Sequence, residues 1–119
     1  MSTKDLIVKK KWNDYIDWLI DKVGRFPQQH KYVLGQRILN IAFDISENIV
    51  VMQFSPKEKR KELLPAFNLK LETMREFMRI AWRKKILSHR AFIFQECQID
   101  QVGRMMHRLV GGGGFSNGR

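Results

Sequence analysis

Hydrophobic positions along this chain recur every three or four residues and nowhere alternate with period two over a useful length, so the pattern is helical throughout. Trp12, Tyr15, Ile16, Leu19, Ile20 and Val23 share one side of a first helix over 12–23, and Asp14, Asp17 and Asp21 share the other. Gly24 supplies a stop and Phe26-Pro27 a loop, because the residue before proline avoids helical geometry and glycine tolerates left-handed geometry. Leu34, Ile38, Ile41, Ile45, Ile49 and Met52 then mark the core face of a second helix over 31–54. Tyr32, Leu39, Phe43, Val50 and Phe54 form a second apolar set on the reverse of that helix.

Ser55-Pro56 starts a third helix, with serine as cap and proline in the first turn. Over 57–83 the core positions are Leu64, Phe67, Leu71, Met74, Met78 and Ala81. Pro65 either kinks this helix or delays its true start to near Leu63. Ser88 caps a fourth helix over 89–110, whose core face reads Phe92, Gln95, Ile99, Val102, Met106 and Leu109. The expected fold class is all-α, an antiparallel up-down four-helix bundle. Residues 1–11 form a basic segment before it, 12–110 the bundle, and 111–119 a flexible glycine-rich tail.

The reverse face of the second helix adds an expectation about assembly. One apolar stripe of about 100° suffices to seat a helix in a bundle, so the second stripe predicts an oligomer interface. Leu69, Thr73, Phe77 and Ile80 make a weaker second stripe on the third helix.

Composition changes the picture through charge. The 119 residues carry 22 Lys and Arg against 12 Asp and Glu, a net charge of +10 that favours polyanionic partners. The excess is uneven: residues 1–54 contribute 8 basic and 6 acidic side chains, and residues 55–119 contribute 14 and 6. Lys57, Lys59, Arg60 and Lys61 open the third helix, and Arg75, Arg79, Arg83, Lys84 and Lys85 follow along it. Arg90, Arg104 and Arg108 lie on the fourth. Arg75, Arg79 and Arg83 are spaced four apart and share a face suited to a phosphate backbone. Glu72 and Glu76 are interleaved with them at intrahelical pairing distance, which neutralises part of that stripe. Glu96 and Asp100 are expected to point away from the line of Arg90, Arg104 and Arg108.

Little in the chain suggests catalysis. Arg83 and His89 satisfy the loose arginine–histidine spacing of HEPN-type ribonucleases, but so do Arg25 and His30, and a helix boundary divides both pairs. Cys97 has no histidine nearby in sequence, and one cysteine with three scattered histidines makes neither a disulfide framework nor a zinc site. No metal or cofactor is expected. The first residues lack the apolar run of a signal peptide, and no stretch approaches the ~18 apolar residues of a membrane span, so a cytoplasmic protein without membrane contact is expected.

Phe26-Pro27, Leu34-Gly35-Gln36-Arg37-Ile38, Asn68-Leu69-Lys70-Leu71-Glu72 leading to Arg75 and Arg79, and Val102-Gly103-Arg104-Met105 together carry a resemblance. Over residues 25–110 the chain resembles the accessory variability determinant proteins of diversity-generating retroelements. The same motifs are shared with the four-helix proteins encoded in intervening sequences of ribosomal RNA genes. The resemblance implies a homopentameric barrel of bundles that binds RNA and DNA. It also implies association with a reverse transcriptase and support of mutagenic copying of template RNA into cDNA. By that resemblance Arg75 and Arg79 contact polymerase or nucleic acid, and Arg37 and Arg104 stand where the family also has arginine. After Met105 the chain departs from the family pattern, with His107-Arg108-Leu109 in place of glycines and a tryptophan inside the helix. The alternatives are a structural oligomer of the intervening-sequence type and, more remotely, an HEPN-like ribonuclease.

Overall fold

The computed structural model describes residues 2–111. It contains α1 (Thr3–Gly24), α2 (Gln28–His30), a π-helical turn (Lys31–Gly35), α3 (Gln36–Gln53), α4 (Lys57–Arg83) and α5 (His89–Gly111). α2, the π turn and α3 run on as one rod over 28–53, so four rods make the bundle. Short connections turn the chain back each time. Lys4 and Ile7 at the start of α1 lie beside Met105 and Leu109 at the end of α5, while Trp18 and Lys22 lie beside Arg90 and Phe94 at its start. The bundle is therefore antiparallel up-down, 44 Å long and 26 × 22 Å across.

α1 begins at Thr3, so the basic segment expected before the bundle is instead its first turns. Ser2 Oγ accepts from the Asp5 amide, and an Asp5 carboxylate oxygen accepts from the Ser2 amide, both at 3.1 Å. This reciprocal cap satisfies two amides that the helix itself leaves unpaired. Asp5 and Val8 thereby extend the buried stripe upstream to meet Trp12, Tyr15, Leu19 and Val23. Ile20, read as core, is exposed because it lies at the edge of that stripe. Trp12 donates its indole N–H to Ser46 Oγ at 2.8 Å, which fixes α1 against α3 at mid-height. Burial, with a smaller contribution from the charge of Glu96, pushes the Tyr15 phenol far above its ordinary range.

Apart from Leu34 and Leu64, which are only partly buried, the core lies where the spacing of the other rods places it. Ile38, Ile41, Ile45, Ile49 and Met52 are buried, as are Phe67, Leu71, Met74, Met78 and Ala81, and Phe92, Gln95, Ile99, Val102 and Met106. At the end of α5, Val110 takes the buried place read for Leu109, which is only partly covered. The π turn sits where the second rod passes the end of α1. A Cβ on Gly35 would come within 2.7 Å of Val23 Cγ1, so only glycine permits that approach.

Pro65 lies inside a continuous α4 rather than at its start. Pro65 and Lys61 are both exposed, so the carbonyl that loses its partner four residues earlier is open to water. Pro56, not Ser55, occupies the cap position of α4, and the Ser55 hydroxyl donates back to the Val51 carbonyl at 2.6 Å. Ser88 does cap α5, its Oγ accepting from the Ala91 amide at 3.1 Å. Beyond Gly111, the last residue of α5, the expected tail lies outside the described residues.

Candidate nucleic-acid interface

The twelve basic residues singled out from the sequence do not form one surface. α4 advances ~1.5 Å per residue, which separates Lys57 from Arg83 by nearly the full length of the bundle. Lys57 and Lys61 are at one end, with Arg108 near the N-terminal turn of α1. Arg83, Lys84, Lys85 and Arg90 are at the other, around the α4–α5 turn.

Arg60 belongs to the fold rather than the surface. Its side chain is 14% exposed. It donates to the carbonyls of Gln53 at 2.8 Å and Ser55 at 3.1 Å, and its Nη1 lies 3.5 Å from the buried Asp5 carboxylate. Gln53 Nε2 meanwhile donates to the Asp5 carbonyl at 2.7 Å. Arg60 thus closes the C-terminal end of α3, where unpaired carbonyls favour a cation, and ties that end to the start of α1.

Arg75 is surrounded by carboxylates. Its guanidinium lies 3.0 Å from Glu72, 2.8 Å from Asp100 and 3.9 Å from Glu96, and its side chain is 19% exposed. Arg79 lies 2.8 Å from Glu76 and 3.8 Å from Glu72. Sequence spacing identifies Glu72 and Glu76, but the acids reaching over from α5 have no local signature. Asp100, expected to point away from the arginines of α5, instead lines the same α4–α5 groove as Arg75, Arg104 and Arg108. That groove measures about 620 Å³, and Glu72 and His107 also line it. Its lining is therefore mixed in charge rather than uniformly basic.

Arg83, Lys84, Lys85 and Arg90 have no carboxylate partner among the described residues. The same is true of Arg104, Arg108, Lys57 and Lys61, while Lys59 pairs with Glu62 at 3.5 Å. The face read as a phosphate track is therefore neutralised at Arg75 and Arg79 and open from Arg83 onward. Sequence reasoning missed one feature of the open end: from Phe77 through Gln95 the chain contains no acidic residue. Arg37, read through the resemblance, holds its guanidinium 5.4 Å from the centre of the Phe77 ring. His89 packs its ring against Trp82, with centroids 5.6 Å apart. Cys97 is exposed.

The reverse face of the second rod carries its apolar residues outward. Tyr32 and Phe54 are the most open at 68% and 74%, Phe43 and Val50 are exposed as well, and Leu39 is partly covered. Val33 and Val51 widen this face, and Leu69 on neighbouring α4 is exposed beside it. Among the described residues no group of three or more histidine, cysteine or acidic side chains is placed to hold a metal. No helix of the described chain is long and apolar enough to cross a membrane.

The arrangement defines a small basic helical bundle with cations free of carboxylate partners at both of its ends and an apolar strip along one rod. The profile of the bAvd-like family matches residues 6–111, and the chain belongs to that family, the accessory variability determinant proteins. These are accessory proteins rather than catalysts. No curated protein and no solved structure matches the chain.

Proposed function

We propose that this chain is a non-catalytic accessory protein of a diversity-generating retroelement, one that binds template RNA or its cDNA together with the reverse transcriptase and supports mutagenic reverse transcription. Family membership over residues 6–111 is the observation that carries this reading. The unpaired cations of the α4–α5 turn supply its chemistry. Each phosphate neutralised by Arg83, Lys84, Lys85 or Arg90 releases condensed counterions, which gives sequence-tolerant, salt-sensitive binding. Holding RNA beside the polymerase raises the local template concentration and needs no side-chain chemistry.

Self-association belongs to the same reading. The strip of Tyr32, Leu39, Phe43, Val50 and Phe54 seats a neighbouring copy, and a ring of five such bundles repeats the basic end around its rim. The pairing of Arg75 and Arg79 with four carboxylates favours a structural part for those two, as in an oligomer of the intervening-sequence type. Fluorescence anisotropy with labelled template RNA at low and moderate salt tests the reading. Binding that weakens steeply with salt is expected, together with co-purification of the retroelement's reverse transcriptase. Absence of RNA binding at low salt overturns it.

A further inference from the structure

Within the acid-free segment from Phe77 to Gln95, Trp82 stands on the last turn of α4 next to the buried Ala81. Its ring stacks on Phe92 of α5, centroids 4.7 Å apart and planes within 10°. The tilted His89 ring lies on its flank. Phe92 is buried, yet 38% of Trp82 remains exposed. Trp12 shows the contrast: it is buried and its indole N–H is bonded to Ser46, whereas the indole N–H of Trp82 has no hydrogen-bond partner among the described residues. Trp82 is thus backed by Phe92 and more than a third exposed, on the turn that also carries Arg83, Lys84, Lys85 and Arg90, none of which has a carboxylate partner among the described residues.

The backbone of this turn is also unusual. The Ile86 amide donates to the Ala81 carbonyl and the Lys85 amide to the Trp82 carbonyl, both at 2.9 Å, the paired bonds that close a helix through one left-handed residue. That residue is Lys85, with φ 61°, in a place glycine would fill with less strain. The chain holds a cation there, three residues after Trp82.

We infer that Trp82 is a stacking platform for an unpaired base, making the α4–α5 turn a site for single-stranded nucleic acid. This rests on the nucleic-acid reading above and adds to it a preference for unpaired strands. A fixed ring loses little freedom when a base stacks on it, and every base has a face to stack, so recognition is independent of sequence. The surrounding cations neutralise the phosphates on either side of the stacked nucleotide. A duplex offers the same phosphates but hides its base faces.

The test compares single-stranded RNA of about 12 nucleotides with a duplex of equal length, by anisotropy over a salt series. Trp82→Leu is expected to weaken single-strand binding roughly 5- to 100-fold, with duplex affinity and the salt slope unchanged because no charge is removed. Lys84→Gln is expected to weaken both ligands and flatten both slopes. Circular dichroism checks that the variants remain folded. Trp82→Phe, the gentler change, is expected to retain most single-strand affinity and to abolish the quenching of tryptophan emission that RNA causes in the wild type. Equal losses for single strand and duplex in Trp82→Leu, no loss for either, or unchanged quenching in Trp82→Phe overturns the platform and leaves the nucleic-acid reading standing. A wild type that binds neither RNA at low salt, including one that binds an acidic polypeptide instead, overturns both.

Discussion

Replacing Arg60 by alanine separates a structural cation from a nucleic-acid contact. The substitution removes two charge-assisted hydrogen bonds to the carbonyls of Gln53 and Ser55 and the cation nearest the buried Asp5 carboxylate. Hydrogen bonds to a charged donor contribute about 1.5–3 kcal/mol each where burial is complete, and breaking a buried pair costs about 3–5 kcal/mol. Asp5 keeps its bond from the Ser2 amide, and Arg60 retains some solvent contact, so the loss falls toward the lower end, about 3 kcal/mol. For a domain of this size that corresponds to a melting point lower by roughly 10–15 °C. Thermal and urea unfolding followed by circular dichroism, at one fixed protein concentration because assembly shifts apparent stability, measure the effect. Lys61→Ala on the exposed side of the same turn is expected to change stability by less than about 0.5 kcal/mol. An Arg60→Ala protein as stable as wild type, but with a flatter salt dependence of RNA binding, would refute this assignment and make Arg60 a phosphate contact.

Three further outcomes follow from the packing. Gly35→Ala is expected to destabilise the fold by about 1–3 kcal/mol in urea titrations, because its methyl would press on Val23 and the π turn has little room to yield. Lys85→Gly is expected to raise stability by about 1 kcal/mol through relief of the left-handed conformation, while lowering RNA affinity through the lost charge; a less stable glycine variant would contradict the strain. Phe43→Glu is expected to dissociate the assembly while leaving each monomer helical, read as a drop in mass by light scattering with unchanged circular dichroism. Native mass in that variant would show that the reverse face of the second rod is not an interface.

The rods and most of the core were legible because bundle helices repeat their buried positions at three and four, and this chain keeps that spacing from Trp12 to Met106. The start of α1 was hidden by its chemistry. Asp5 occupies a core-facing position, and a carboxylate there reads as surface until its cap with Ser2 and its closeness to Arg60 are seen. Ile20 and Leu109 lie at stripe edges, where the sequence cannot tell which neighbour turns inward.

The charged surface was legible in amount but less so in arrangement. Glu72 and Glu76 pair with Arg75 and Arg79 at spacings that can be counted along one helix, whereas Glu96 and Asp100 reach Arg75 from another rod. Arg60 finds Asp5 only through the closed bundle. The open turn left a sequence trace of another kind, an acid-free run with a tryptophan inside it, which counting individual arginines overlooks.

The division between paired and unpaired cations is the centre of this account, and the salt slope of single-stranded RNA binding tests it most directly. Arg83→Gln is expected to reduce the slope by about 0.7, the value of one phosphate contact on a single strand, and Arg75→Gln to leave it nearly unchanged. Equal slopes for the two variants, or a larger loss from Arg75→Gln, would contradict it.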